Sequence, residues 1–233
     1  MITLHAWPTP NAHKISIMLE ECGLDYEVVP VDITAGDQFS PEFLKVSPNN
    51  RMPAIMDSDG PDGEPVSVFE SGAILIYLAE KTGKFLPGSG AARVRTLEWL
   101  MFQMANLGPV AGHAQHFRDA APERVPYAID RFTDEAGRLY GVMNRRLGEA
   151  PYLAGEDYSI ADMACWPWVR LHRWHGQPWE PFPNVKRWFD EISARDAVQA
   201  GMKLLAEYRA KPKDVLNEKT RDILFGRSQF ERR

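Results

Sequence analysis

The sequence is poor in cysteine, with only Cys22 and Cys165, which lie far apart and belong to no C-x-x-C pair. Two such residues cannot build a disulfide framework and do not suggest a zinc site, so we expect a protein of a reducing compartment. No apolar run approaches the roughly 18 residues of a membrane span, and no positively charged segment followed by a long apolar one opens the sequence. We therefore predict a cytoplasmic protein with neither a spanning helix nor a secretory signal.

Positive charge is not in excess either. The chain has 27 Lys and Arg residues against 32 Asp and Glu, a net charge of −5, which argues against binding to nucleic acid or to a membrane surface. The patterns G-x-G-x-x-G, P-loop and G-x-S-x-G are absent. His113 with His116, and His172 with His175, have helical metal-ligand spacing, but no Cys or carboxylate completes either pair, so no metal is predicted.

Strands and helices are mixed in the first third of the chain. Four short runs of apolar or β-branched residues predict strands: 2–7, 26–33, 54–57 and 66–69. The turn-rich residues 58–65 predict a hairpin. One apolar stripe at i, i+3, i+4 and i+7 predicts an amphipathic first helix that ends at Gly23: Ile15, Met18, Leu19 and Cys22. A strand, a helix and a strand in this order imply a parallel pair with a crossover helix.

From about residue 90 the apolar pattern is helical throughout, with stripes at 94–104, 129–147 and 185–192. We therefore predict an α/β domain followed by an all-α helical bundle. The predicted boundaries are listed in chain order: domain 1–82, linker 83–90, helical domain 91–208, and an extension 209–233 packed on or near the helical domain. Residues 95–107 are apolar on more than one face, which indicates a second covered face and hence a homodimer.

Polar residues stand at two places where a strand leads into a helix. Thr9 and Asn11 lie at the start of the first helix, where N–H groups and a partial positive charge favour an anion. At the later junction, Ser71 can donate to a carboxylate and Glu70 can hold an ammonium group, which together suit an amino-acid zwitterion. Taken alone, Thr9 and Asn11 fit a helix cap better than an anion site, whereas Glu70 and Ser71 fit a cap and a zwitterion site about equally.

Pro53 precedes the third strand. If the Met52–Pro53 bond is cis, the Met52 main chain turns outward and can pair with an extended peptide; otherwise Pro53 is an ordinary proline at a strand entrance. Later in the chain, Ser159 and Asp162 form a capping-box pattern, which we interpret as structural.

In this order and spacing, these patterns resemble the cytosolic glutathione transferases, which have a thioredoxin-like N-terminal domain and an all-helical C-terminal domain. The resemblance covers residues 1 to about 208. Within that family the sequence is most similar to the Nu class, bacterial relatives of the yeast nitrogen-regulator prion protein that are associated with glutathione-dependent disulfide reduction. Four segments have this similarity: Thr9-Pro10-Asn11, Ser47-Pro48-Asn49-Asn50, Phe69-Glu70-Ser71-Gly72 and Ala164-Cys165-Trp166-Pro167-Trp168.

The resemblance implies that glutathione is the co-substrate and assigns roles to particular residues. Thr9 and Asn11 would face the glutathione sulfur, and the Met52 main chain beside Pro53 would pair with the cysteinyl part. The other implied binding residues are Glu70 and Ser71 at the γ-glutamyl end, Gln38, Asn50 and Arg51 near the rest of the peptide, and Arg131 toward the glycyl carboxylate. No Tyr, Ser or Cys stands at the sulfur position, so hydrogen bonds alone must hold the thiolate.

The predicted activity is the reduction of small disulfides by bound glutathione. Conjugation of glutathione to electrophiles, or reduction of organic peroxides, uses the same thiolate and is the first alternative. A non-catalytic regulatory member of the fold is a further alternative.

Overall fold

The computed structural model describes residues 1–208 and 217–231, in which four strands near the start of the chain form one sheet. The strands are β1 (Ile2–Ala6), β2 (Tyr26–Pro30), β3 (Ala54–Asp57) and β4 (Val66–Phe69), in the spatial order β2-β1-β3-β4. β1 pairs with β2 in parallel, and β3 is antiparallel to both β1 and β4. The predicted parallel pair and the predicted hairpin are both confirmed.

Helix α1 (Pro10–Cys22) connects β1 to β2 and ends at Gly23, whose φ of 68° lies in the left-handed region that glycine adopts most easily. The sequence predicts one buried face for this helix, but the structure buries nearly all of it, including Lys14 and Ser16. The reason is a close approach by the distant Gly201: Ser16 Oγ donates to its carbonyl at 2.8 Å, and a Cβ there would lie 2.7 Å from the Ile17 nitrogen.

Helix α2 (Pro41–Val46) and helix α3 (Ser71–Thr82) complete the mixed part of the chain. Ser40 caps α2 by accepting from the Phe43 N–H at 3.2 Å. A small buried cluster joins α2 to the residues after β2 and to β3, and Met52 packs against it: Val31, Phe43, Val46 and Ala54.

The described residues that follow α3 form helices and no strand, so the predicted change from mixed to helical structure is confirmed. The helices are α4 (Gly90–Phe102), α5 (Gly108–Gln115), α6 (Pro126–Glu149), α7 (Ile160–Val169), α8 (Pro183–Ser193), α9 (Asp196–Gly201), α10 (Glu218–Phe225) and α11 (Ser228–Glu231). A π-helical turn, Gln103–Leu107, joins α4 to α5 just before Pro109, which has no N–H to donate to the preceding turn. A second π-helical turn, His116–Ala120, follows α5.

The capping box at the start of α7 is confirmed. Ser159 Oγ accepts from the Ala161 N–H, and Asp162 accepts from the Ser159 N–H at 3.0 Å. The buried Asp162 carboxylate also accepts from Trp188 Nε1 at 2.8 Å and from the Leu153 N–H at 3.0 Å, so it connects three segments of the helical part.

The chain divides into two compact units, Met1–Leu75 with the described residues from Ala200 onward, and Ile76–Gln199. In the first unit the Tyr208 ring lies 5.1 Å from that of Trp7, and Arg51 donates to Gln229 Oε1 at 3.0 Å. The predicted boundaries at 82 and 90, and the packing of 209–233 on the helical domain, stay predictions; residues 209–216 and 232–233 lie outside the described part. Within that part, no helix combines the length and apolarity needed to cross a bilayer.

Candidate functional site

Thr9 is the N-cap residue of α1. Its backbone is extended (φ −117°, ψ 161°), and its hydroxyl oxygen accepts from the Ala12 N–H at 3.4 Å. Pro10 occupies the first helical position, where the missing N–H is tolerated, and no acidic residue lies in the first turn. Asn11, also in this turn, is partly exposed. The start of α1 therefore combines a positive helix end with two polar side chains, an arrangement suited to an anion.

The Thr9 hydroxyl donates to a sulfur atom, Met52 Sδ, at 3.5 Å. A thioether is a weak acceptor, whereas a thiolate is a charged and much stronger one. The hydroxyl is therefore already directed at a sulfur beside the start of α1. The bond between Met52 and the buried Pro53 is cis. No backbone group in residues 1–208 or 217–231 pairs with the Met52 N–H or C=O, so this segment can accept an extended peptide as an added strand.

Glu70 and Ser71 lie where β4 leads into α3. Glu70 has a φ of 70°, a left-handed conformation that costs a residue other than glycine about 1–2 kcal/mol. Such conformations concentrate at ligand-binding sites. The exposed Glu70 carboxylate accepts from Asn49 Nδ2 at 3.3 Å, and its main-chain carbonyl accepts from the Ile74 N–H at 2.9 Å. Ser71 is buried, 4% exposed, at the first position of α3.

Lys14 is a residue of this region that the sequence analysis missed. Its side chain is only 1% exposed, and Nζ donates to Ser71 Oγ at 3.2 Å. Lysine is almost never buried to this extent. A lysine between apolar positions of a helix gives no local sign of burial, because its partner lies 57 positions later. Lys14 Nζ thus lies beside Ser71, at the predicted γ-glutamyl subsite.

Three further predicted residues lie in the first unit. Gln38 is 2% exposed; its Nε2 donates to the Ile33 carbonyl at 3.3 Å, and its Oε1 has no partner among the described residues. Asn50 is also buried, with a φ of 54° and an Oδ1 that lacks a partner in the same part of the chain. Both oxygens are thus buried acceptors without a donor among the described residues. Arg51 is exposed.

Arg131 lies in the second unit, on α6, whereas the other predicted site residues lie in the first. Its guanidinium is exposed and pairs with Glu135 at 3.4 Å, a carboxylate that Arg138 also contacts at 2.6 Å. Surface pairs of this kind contribute little to stability, so Arg131 can exchange partners at small cost.

The second unit also contains the two histidine pairs. No third metal-ligating side chain joins either pair within residues 1–208 and 217–231. His175 is fully buried; its Nδ1 lies 3.2 Å from the Tyr140 hydroxyl, and burial lowers its pKa to about 3. His172 Nδ1 lies 2.6 Å from the Gln177 carbonyl, and its ring stacks on Trp179. These contacts indicate structural roles for His172 and His175.

Three cavities lie away from every predicted site residue. One of about 320 Å³ lies between Phe85 and Tyr158, one of about 300 Å³ lies beside Trp179, and one of about 370 Å³ lies between Lys45 and Val66. Recognition of a peptide through its main chain needs an open edge and not an enclosed cavity. The geometry of Thr9, Met52, Glu70 and Ser71 therefore identifies the candidate site better than cavity volume does.

Two family models match the chain: the glutathione S-transferase N-terminal domain over residues 1–80 and the glutathione S-transferase C-terminal domain over residues 121–196. The disulfide-bond oxidoreductase YfcG of Escherichia coli (strain K12) is 52% identical over 198 residues, which span 84% of this chain and 92% of that protein.

Two solved structures are similar to the chain, each with a TM-score of 0.83. A glutathione transferase family member from Pseudomonas fluorescens pf-5, with two glutathione molecules bound, is 45% identical and covers 86% of this chain and 92% of its own. A glutathione transferase from Pseudomonas putida, with one glutathione disulfide bound per subunit, is 44% identical and covers 88% of this chain and 91% of its own.

Proposed function

Because the chain belongs to the glutathione S-transferase family, as its sequence patterns predicted, we propose that it is a glutathione-dependent thiol–disulfide oxidoreductase of the Nu-class type. The observation that supports this most directly is the Thr9 hydroxyl, which donates to a sulfur atom at the start of α1. A glutathione sulfur at this position would replace the thioether by a thiolate and gain the same donor.

Glutathione would lie along the first unit in an extended conformation. Its cysteinyl N–H and C=O would pair with the Met52 main chain, which has no other backbone partner among the described residues. The γ-glutamyl ammonium would meet Glu70, and the carboxylate would meet Ser71 at the start of α3. Gln38, Asn50 and Arg51 would lie near the rest of the peptide. Arg131 is proposed for the glycyl carboxylate.

Thr9 and Asn11 would stabilise the thiolate without a tyrosine or a cysteine. A free thiol ionises near pKa 8.5, and lowering this by about two requires roughly 2.7 kcal/mol. One hydrogen bond to a charged acceptor contributes about 1.5–3 kcal/mol, and the helix terminus adds about 0.3–1 kcal/mol. Thr9 and Asn11, two donors at the N-terminal end of α1, are therefore sufficient to lower the pKa of the bound thiol by this amount.

The reaction would proceed by two thiol–disulfide exchanges. Bound thiolate attacks one sulfur of a small disulfide, a new S–S bond forms, and the other half leaves as a thiolate that takes up a proton. A second glutathione thiolate then attacks the mixed disulfide and releases glutathione disulfide. The protein offers no thiol for this second step, because Cys22 and Cys165 are both buried and Cys22 lies at the far end of α1. One of the similar structures has two bound glutathione molecules, and the other has a bound glutathione disulfide. Both are consistent with this order of reaction steps.

A homodimer in the cytoplasm is the setting that we propose. On α4, Thr96 and Leu100 are buried, whereas Val94 is 58% and Met101 is 48% exposed, so an apolar face is left uncovered in the single chain. A second copy would bury it.

The deciding experiment compares glutathione-dependent reduction of hydroxyethyl disulfide with conjugation of a model electrophile and with reduction of an organic peroxide. We expect disulfide reduction to be the fastest and to fall in Thr9→Ala/Asn11→Ala, whereas Thr9→Ser should retain it. Conjugation that is much faster than disulfide reduction would favour a conventional transferase. No turnover in any of the three assays would contradict the proposed enzyme and leave a regulatory member of the fold.

A further inference from the structure

Near its C-terminal end the chain returns to the first compact unit, beside the proposed sulfur position. We call the described residues 200–208 and 217–231 the C-terminal segment; both parts belong to this unit. The segment begins at Gly201, whose carbonyl accepts from Ser16 Oγ at 2.8 Å. A Cβ at Gly201 would lie 2.7 Å from the Ile17 nitrogen, so the backbones of the segment and of α1 are in direct contact. This end of the segment is therefore packed closely on α1.

Farther along, the segment contacts the residues just before α1. The ring of Tyr208 lies 5.1 Å from the ring of Trp7, at an interplanar angle of 42°. Trp7 precedes Thr9 by two positions, and a tight turn joins them, because the Thr9 N–H donates to the Trp7 carbonyl at 2.6 Å. Tyr208 therefore adds an aromatic ring close to the residue that we propose to hold the thiolate.

A second contact of the segment lies beside Met52. Gln229, on α11, accepts at Oε1 from the Arg51 guanidinium at 3.0 Å, and its Nε2 donates to the Leu224 carbonyl on α10. The Gln229 amide thus links Arg51 to both helices of the segment. Arg51 adjoins Met52, whose Sδ lies 3.5 Å from the Thr9 hydroxyl. The segment consequently contacts a near neighbour of each of the two residues that meet at the proposed sulfur position.

These contacts restrict the space in which a second substrate can react. A disulfide must bring one of its sulfur atoms to the bound thiolate, and the groups attached to both sulfurs need room at the same time. A disulfide in a protein has main chain on both sides of the bond, so it needs open space in more than one direction. Hydroxyethyl disulfide needs an opening only as wide as its own short chain.

We propose that the C-terminal segment determines the size of the substrate: it admits small disulfides to the bound thiolate and excludes disulfides carried by proteins. This inference rests on the proposed function. It deepens that function by naming the part of the chain that selects the class of disulfide, through Tyr208 at Trp7 and Gln229 at Arg51.

The test compares two disulfide substrates, hydroxyethyl disulfide and insulin, with the full chain at saturating glutathione. Dividing each rate by the rate of the same disulfide with free glutathione removes the difference in intrinsic reactivity. The variant Tyr208→Ala/Gln229→Ala removes the two contacting side chains and leaves Trp7 and Arg51 in place. Lys219→Ala, at an exposed position of α10, is the matched control.

In the double variant we expect the normalised rate with insulin to rise about tenfold, because a displacement of about 1 Å from reacting distance costs on the order of a hundredfold and the variant relieves part of it. The rate with hydroxyethyl disulfide should change by less than about twofold, since the thiolate and its donors are untouched. Lys219→Ala should resemble the wild type with both substrates. Equal changes for the two disulfides would show an effect on the thiol or on glutathione binding and overturn the inference, as would an unchanged rate with insulin.

The thermal midpoint of the double variant is measured first. If this variant does not stay folded, Tyr208→Ala and Gln229→Ala, each made alone, give the same comparison with smaller changes. A wild type that reduces neither disulfide would contradict the proposed function, and this inference with it. A wild type that reduces hydroxyethyl disulfide and insulin at the same normalised rate would overturn the selection by size alone.

Discussion

Replacing Thr9 by alanine should have two separable consequences, because one hydroxyl has two partners. Its oxygen accepts from the Ala12 N–H at 3.4 Å, and its hydrogen is donated to a sulfur at 3.5 Å. Loss of the N-cap should lower the free energy of unfolding by about 1 kcal/mol. Loss of one hydrogen bond to a charged acceptor, about 1.5–3 kcal/mol, should raise the pKa of the bound thiol by about 1–2.

The thiol pKa can be followed by the ultraviolet absorbance of the thiolate as the complex with glutathione is titrated. If the pKa in the wild type is about 6.5, most of the bound thiol is ionised at pH 7. A rise to about 8 leaves roughly a tenth ionised, so the rate of disulfide reduction should fall about eightfold at pH 7 and recover above pH 8.

Two further substitutions of Thr9 separate the two consequences. Glycine caps a helix nearly as well as threonine but has no hydroxyl, so Thr9→Gly should raise the thiol pKa as alanine does while losing only a few tenths of a kcal/mol of stability. Thr9→Ser should resemble the wild type in both measurements. If the bound thiol has the same pKa in all four proteins, the hydroxyl does not activate it, and the role given to Thr9 is wrong.

Two further predictions concern a strained residue and a buried base. Glu70→Gly should leave the thermal midpoint unchanged or raise it, because glycine adopts a φ of 70° without strain, while the Kd for glutathione should rise at least tenfold; a lower midpoint would contradict the strain argument. For His175 the folded pKa, about 3, lies below the unfolded value of 6.5, so below pH 6.5 protonation favours the unfolded state. Stability should fall by about 2 kcal/mol between pH 7 and pH 5. The free energy of unfolding of His175→Asn, measured with urea, should therefore decrease less on acidification than that of the wild type. The same pH dependence in both proteins would refute this prediction.

Local patterns predicted the elements of the fold because each element depends on its own residues. Gly23 ends α1 in the left-handed conformation that its sequence position indicates, and Ser159 with Asp162 forms the expected capping box. The extent of the burial of α1, by contrast, could not be predicted from the residues of the helix itself. Its second face is covered through Gly201, 185 positions after Ser16. No periodicity within the helix can reveal a neighbour so distant in the chain.

The candidate site shows the same difference between features that local patterns predict and features that depend on distant residues. Thr9, Glu70 and Ser71 could be selected because each stands at a junction between a strand and a helix, where side-chain donors and acceptors are concentrated. The cis state of the Met52–Pro53 bond, by contrast, has no local signal in the sequence. Lys14 could not be found because its contact is with Ser71, which only the folded chain brings within 3.2 Å.

Helix α1 would fix the spacing between the two ends of the proposed ligand. Thr9 caps the helix, and Lys14 lies five positions later, about 7.5 Å along the axis at 1.5 Å per residue. A helix buried on nearly all sides cannot bend to adjust this distance. The burial of α1 thus makes it rigid enough to hold the Thr9 hydroxyl and the Lys14 side chain, which contacts Ser71, at one separation.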